Sequence, residues 1–509
     1  MIHISLDGNS LSLSDVKNVA YQDVKIELTP EARQRIIQSQ TFVEKLVSSN
    51  KTVYGINTGF GKLANKRITH KDIERLQMHL ILSHSTGVGP VLPIPETRAI
   101  MLLRANTLAK GYSGIRLETL QTIIDMLNKK VYPLIPEKGS VGASGDLAPL
   151  SHIALVMLGK GKAYYNNTLM DGEKALQQAG IKPVNLKAKE GLALNNGTQV
   201  MTGILTLAYL QAITLCKSAD IVGAMTVEAL KGTDAAFDER IHNLRPHPGQ
   251  IRSAKNLRNL LAESKIMASH RNCSKVQDPY SLRCMPQVHG AVYDAIDFIE
   301  SILTREINAA TDNPLIFAND GIALSGGNFH GEPVAFAADL LGIIIAELAN
   351  ISECRIEQML NPALNNGLPP FLAPHPGLDS GFMLAQCTAA SLVSENKTLA
   401  HPASVDSIPT SAGQEDHVSM GTIAARHAKE IVSNTAYVLA IELITATQAL
   451  EYEITYESSK AIVEVKNLVR KHIAPLKKDR ILSEDIEKAK NLLISGEILQ
   501  AATKYAKIQ

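Results

Sequence analysis

Five stretches of this chain, residues 114–130, 197–232, 283–310, 332–361 and 415–453, carry apolar residues at spacings of three and four, which leaves little choice of fold. In one of them Val288, Val292, Ile296, Ile299, Leu303 and Ile307 recur along a single helical face. Residues so spaced line up on an α-helix but scatter over both faces of a strand. Helices of this length bury such a face by packing side by side, so the expected fold is mainly α, a long-helix bundle. A smaller α+β region should precede it. Residues 2–6 and 24–28 alternate like short strands, and Thr29-Pro30-Glu31 opens a helix with an N-cap hydroxyl and a proline at its first position. The sequence predicts an N-terminal domain over residues 1–200 and the bundle over 201–509, with no Pro/Gly/Ser linker between them.

Charge narrows the choice of ligand. Lys and Arg number 51 against 50 Asp and Glu, a net charge of +1, so no basic field attracts nucleic acid or an anionic membrane. A small neutral or zwitterionic molecule fits better. Charged residues make up 20% of the 509, below the usual quarter or so, which points to surface buried between subunits and hence to an oligomer. Cys216, Cys273, Cys284, Cys354 and Cys387 are scattered without C-x-x-C spacing, so neither a disulfide framework nor a zinc knuckle is indicated. The start, MIHISLDGNSLSLSDV, has no basic segment followed by an apolar run, and Asp339 and Glu347 interrupt the most apolar stretch. A cytoplasmic protein is expected.

Between the periodic stretches lie segments rich in glycine and asparagine: YGINTGFGK (54–62), GSVGASGD (139–146), NNGTQ (195–199), SGGNFHGEP (325–333) and PTSAGQEDH (409–417). Nearly all of them should lead into a helix. Taken singly, each reads as an ordinary capping loop. If they converge, their unpaired N–H groups would form a pocket for carboxylate and developing negative charge. Standard motifs fail here. GASGD has Asp146 where a nucleophile elbow needs glycine and no strand pattern before it, which leaves a serine hydrolase as a weak alternative. GINTGFGK has the wrong glycine spacing for a phosphate loop, with Leu63 after Lys62. His79 and His84 are five apart without H-E-x-x-H, so no metal is implied.

The stretch GSVGASGDLAPLSH (139–152) permits other chemistry. If the backbone bends hard enough at 143–145, the Gly145 nitrogen can reach the Ala143 carbonyl carbon and close a five-membered ring. Loss of two waters then leaves a methylene where the Ser144 side chain stood. Serine supplies a leaving hydroxyl, glycine an unhindered nitrogen, and alanine is small enough not to block closure. The product, 4-methylidene-imidazol-5-one (MIO), is an electrophile that none of the twenty side chains provides. Asp146 and the apolar-periodic LAPLSHIALVMLG that follows would place the ring at a positive helix end.

GSVGASGDLAPLSH resembles the signature of the aromatic amino acid ammonia-lyases, and VYGINTGFGKL, LSHSTGVG, GLALNNGTQ, VQDPYSLRC, SGGNFHGEPVA and QEDHVSMG extend the resemblance over most of the chain. It implies a mainly α, elongated subunit in a homotetramer with sites shared between subunits, and MIO formed from Ala143, Ser144 and Gly145 without an external cofactor. It implies Tyr54 as the base that takes the β-proton and Arg283 as the holder of the substrate carboxylate. Gln277, Tyr280 and Asn196 are matched to polar residues lining the prosthetic group, and Phe329 to a pocket wall. His84 and Glu415 match positions that face the substrate imidazole in the histidine-specific branch. L-histidine, converted to urocanate and ammonia, is therefore the expected substrate. A tyrosine or phenylalanine ammonia-lyase or an aminomutase of the same family is the alternative. Read without the resemblance, Tyr54 and Phe329 are equally packed aromatics, Arg283 a salt-bridge partner and Glu415 a helix-start acid. Asn195 stands where a hydrophobic residue is more usual.

Overall fold

A computed structural model describes residues 2–49, 52–271, 273 and 275–509. Helices dominate it, and the strands are short. The chain forms two compact units: Met1–Leu207 with Glu300–Asp339 and Pro402–Arg426, and Ala208–Ile299 with Leu340–His401 and His427–Gln509.

In the first unit the strands Ile2–Leu6 and Val24–Leu28 pair in parallel, joined by the helix Leu13–Tyr21. Thr29 caps the helix Pro30–Ser48 by accepting from the Ala32 N–H at 3.2 Å. The helix Ile94–Ala109 is buried on nearly all sides, as a central core helix must be. Val43, Ile56 and Ile316 form a small buried cluster with Phe42, Leu46 and Val53 packed against it, which anchors the turn that carries Tyr54.

In the second unit the long helices surround buried charge. Arg355 and Glu442, both fully buried, form a two-pronged ion pair at 2.6 and 2.9 Å, and Thr226 and Ser352 also donate to Glu442. Asp220 accepts from Ser253, Asn256 and Tyr293 and pairs with His289 at 2.8 Å. Charges so far from water persist only when fully paired, so these clusters fix helix register.

Four of the five periodic stretches match helices closely: Leu117–Asn128, Gln199–Ala229, Met285–Glu306 and Glu332–Leu360. The fifth starts later than its pattern predicts, at Gly421 rather than 415, because Glu415–Met420 is drawn into a loop and Met420 binds the Val141 carbonyl at 2.9 Å. Gln199–Ala229 and Glu332–Leu360 are long and apolar enough to cross a membrane, but 78% and 61% of their most apolar windows are buried inside the protein. They are core helices.

Candidate active site

The first unit holds a cavity of about 960 Å³, lined in part by Tyr54, Ser144, Asn196, Phe329 and Glu415. Each of these comes from a different glycine- or asparagine-rich segment, so all five segments meet at one place. Three of them lead directly into helices, at Leu147, Gln199 and Glu332. Segment 54–62 runs instead into the single 3-10 turn Gly61–Leu63, and segment 409–417 ends short of the helix at Gly421.

The backbone around Ser144 is wound tightly. Ser144, Gly142 and Gly145 are all left-handed, with φ of 52°, 79° and 79°. Such a conformation is strained for serine and natural for glycine. Gly145 N–H donates to Gly142 O at 3.1 Å, and Asp146 N–H to Gly197 O at 2.7 Å. A Cβ on Gly145 would stand 2.2 Å from the Gly197 oxygen, so only glycine fits. Asn196 Nδ2 donates to the Ser144 carbonyl at 2.9 Å, and its buried Oδ1 has no hydrogen-bond partner among the described residues. A serine between an alanine and an unhindered glycine, in a loop pinned from both sides, fits the precursor of a methylidene-imidazolone. Gly145→Ala is expected to leave the chain at full sequence mass with no lyase activity; mass spectrometry of the purified variant checks this.

Asp146 does not cap its own helix, Leu147–Met157. Its fully buried carboxylate instead accepts from the Val200 and Met201 N–H groups, both at 2.9 Å, at the start of Gln199–Ala229, and from Ser140 and Thr422. Burial pushes its acidity towards the protonated form, against those four donors. This carboxylate ties the loop to two helix starts at once.

Arg104 does comparable work beneath Asn196. Fully buried, it donates to Ala193 O, to Asn196 O at 2.9 Å and to Gln199 Oε1 at 2.7 Å, and burial lowers its pKa to about 10. The guanidinium therefore stays charged and holds the turn that presents Asn196. Sequence reasoning missed it, although a lone arginine inside AIMLLRANTLA was a visible signal. Asn195, also buried, bonds Ser151 Oγ at 3.0 Å and so accounts for a polar residue at that position.

The titratable groups of the cavity are set by burial. The Tyr54 hydroxyl accepts the Gly61 N–H at 3.3 Å; burial pushes its pKa up, that N–H draws it down, and the Glu415 carboxylate raises it further. Desolvation thus outweighs the one donor present at this hydroxyl. His84 stands next to Ser83 Oγ, 3.0 Å from its Nδ1, and burial lowers its pKa below the ordinary imidazole value, so it is neutral at pH 7. Glu415 Oε1 accepts the Ser144 hydroxyl at 2.9 Å, and Oε2 accepts Thr410 Oγ1 at 2.8 Å. Among the described residues the lining contains Glu415 and Asp416 but neither lysine nor arginine.

Gln277, Tyr280 and Arg283 belong to the second unit and do not line this cavity. Gln277 and Tyr280 are exposed, and the Arg283 guanidinium lies 4.6 Å from the centre of the Tyr280 ring, its Nε donating to Asp278 O at 3.0 Å.

Residues 11–471 match the aromatic amino acid lyase family. The chain belongs to that family. It is 54% identical over 498 residues to a histidine ammonia-lyase of Caldanaerobacter subterraneus subsp. tengcongensis, a match that covers 98% of each protein. Among solved structures, the aromatic amino acid lyase described here resembles the histidine ammonia-lyase of Trypanosoma cruzi with a TM-score of 0.92 and 44% identity, over 99% of this chain and 96% of that one. It also resembles a tyrosine aminomutase from Streptomyces globisporus, with a TM-score of 0.95 and 37% identity over all of both chains. The lyase fold is therefore mainly helical, as the apolar spacing predicts.

Proposed function

We propose that this chain is a histidine ammonia-lyase, a carbon–nitrogen lyase that eliminates ammonia from L-histidine to give trans-urocanate. The observation that carries the reading is the left-handed Ser144, pinned between Gly142 and Gly145, with Asn196 on its carbonyl and Glu415 on its hydroxyl in a cavity that also holds Tyr54 and His84. The full-length likeness to histidine ammonia-lyases supports it.

Lyases of this family use a methylidene-imidazolone group, and Ala143, Ser144 and Gly145 are the residues that would form it here. That group supplies an electrophile for the departing amine. The rest of the work falls to ordinary side chains. Tyr54 takes the β-proton and Asn196 fixes the loop carbonyl. His84 and Glu415 receive the imidazole. Cyclisation removes the Ser144 hydroxyl from Glu415 Oε1 and leaves only Thr410 on Oε2; an imidazole N–H replaces the lost donor where a plain phenyl ring cannot, so Glu415 selects a ring that donates. Phe329 offers the ring an apolar wall.

The substrate also carries a carboxylate, and among the described residues the cavity offers it no lysine or arginine. Arg283, with Gln277 and Tyr280, would supply that contact from another subunit of a homotetramer. Arg283→Met should then raise KM for histidine by roughly tenfold or more, the worth of one charge-assisted contact; an unchanged KM would remove Arg283 from the site.

The deciding assay offers L-histidine, L-tyrosine and L-phenylalanine separately and follows the conjugated acid by ultraviolet absorbance. Histidine turnover is expected to dominate. Turnover of tyrosine without histidine would place the chain with the aminomutase-like relatives instead. Because burial holds His84 neutral until the medium is more acidic than usual for imidazole, its protonation should add a further loss of kcat/KM for histidine at acid pH. In His84→Asn that further loss should vanish.

A further inference from the structure

We propose that Glu415 acts before any substrate arrives, carrying the proton that departs with the Ser144 hydroxyl while the loop cyclises. This inference rests on the reading that Ala143, Ser144 and Gly145 form the prosthetic group.

The uncyclised loop shows which groups surround the reacting atoms. Ser144 Oγ lies 2.9 Å from Glu415 Oε1, the one side-chain hydrogen bond to that hydroxyl among the described residues. Glu415 is held for the purpose at both ends. Thr410 Oγ1 donates to Oε2 at 2.8 Å, and the Thr410 and Glu415 backbones exchange N–H···O bonds of 2.9 and 3.3 Å. The turn between them is closed by Ser411 and Ala412 in left-handed conformations, with φ of 52° and 53°. Holding non-glycine residues there costs energy, which suits a segment built to present one side chain.

No other candidate makes a side-chain hydrogen bond to Ser144 Oγ among the described residues. Both oxygens of Asp146 are taken by Ser140, Thr422, Val200 and Met201. The Tyr54 hydroxyl accepts from Gly61, and His84 Nδ1 is bonded to Ser83.

The balance of the reaction shows why a proton carrier is needed. Closing the ring joins Gly145 N to the Ala143 carbonyl carbon. The first water takes the Ala143 oxygen with the Gly145 and Ser144 N–H protons, and a carbon–nitrogen double bond remains. The second takes Ser144 Oγ with its own proton and the Cα proton, and the electron pair of the broken Cα–H bond becomes the methylidene double bond. No oxidant is consumed. Asn196, donating to the Ser144 carbonyl at 2.9 Å, polarises the group next to Cα and eases release of that proton. Oγ cannot leave readily as hydroxide; it must be protonated as the Cβ–Oγ bond breaks. Glu415 Oε1 already accepts the hydrogen of that hydroxyl and its carboxylate opens to the cavity, so it takes up the proton released from Cα and returns it to Oγ as the Cβ–Oγ bond breaks.

The test is a short expression pulse followed by affinity capture at intervals and intact-mass measurement. The wild-type chain should lose two waters. Glu415→Gln, which keeps a hydrogen bond but cannot carry a proton, should keep the Ser144 hydroxyl at least about tenfold longer, within the range a general acid supplies. Glu415→Ala should show the same delay, and added formate should shorten it, which a merely misfolded chain would not allow. Loss of both waters at the wild-type pace in both variants would overturn the proposal, as would a delay in Glu415→Ala that formate leaves unchanged. A wild-type chain that never becomes lighter would overturn the cyclisation reading itself.

Discussion

Ser144→Ala should fold, assemble and melt like the wild type, yet lose at least about 10³-fold in histidine turnover. The hydroxyl contributes little to the fold before cyclisation and is absent after it. Its one side-chain partner is Glu415 at the wall of an open cavity, and a hydrogen bond of that kind is worth about 0.5–1.5 kcal/mol. Alanine is strained at φ 52° to the same degree as serine, so the loop gains and loses nothing there. The activity depends on the hydroxyl in a different way, as the leaving group without which no methylidene carbon forms. Steady-state assay beside a thermal melt separates the two effects. Turnover above a tenth of wild type would remove the electrophile from the mechanism.

Tyr54→Phe should leave cyclisation intact, with two waters still lost, and slow turnover by about 10²–10⁴-fold, the range of one general base. The phenol is half-buried, and burial pushes its pKa above the ordinary tyrosine value, with the Gly61 N–H only partly opposing. The sign of the pH effect follows. The active form is the deprotonated one, its fraction grows as pH rises towards a raised pKa, and kcat/KM should therefore climb on the alkaline side. The phenylalanine variant should show no such climb. A profile that falls with rising pH across that range, or an unchanged rate in Tyr54→Phe, would assign the base to another residue.

How much of this could be read from the chain alone differs between fold and site. Apolar spacing marked the long helices because a buried helical face is written locally, at three- and four-residue intervals. The ends were less visible. Glu415 looked like the acid of a helix start, but the Thr410–Glu415 bridge and the Met420–Val141 bond, which span the loop and the fold, keep residues 415–420 out of the helix. Asp146 stands directly before the helix Leu147–Met157, yet its carboxylate serves the start of Gln199–Ala229, more than fifty residues on, which no local pattern shows. Arg104 showed only as a lone charge in an apolar run; its partners, two main-chain carbonyls and the Gln199 side chain, lie about ninety residues on, where no local pattern places them. The cyclising tripeptide was legible for the opposite reason: its chemistry needs three adjacent residue types.

The intact mass of freshly purified, active protein tests the central claim most directly. A chain lighter than its sequence by two waters is the expected result, with tryptic digestion placing the loss in the peptide that contains Ala143, Ser144 and Gly145. Full sequence mass in a preparation that turns over histidine would contradict it.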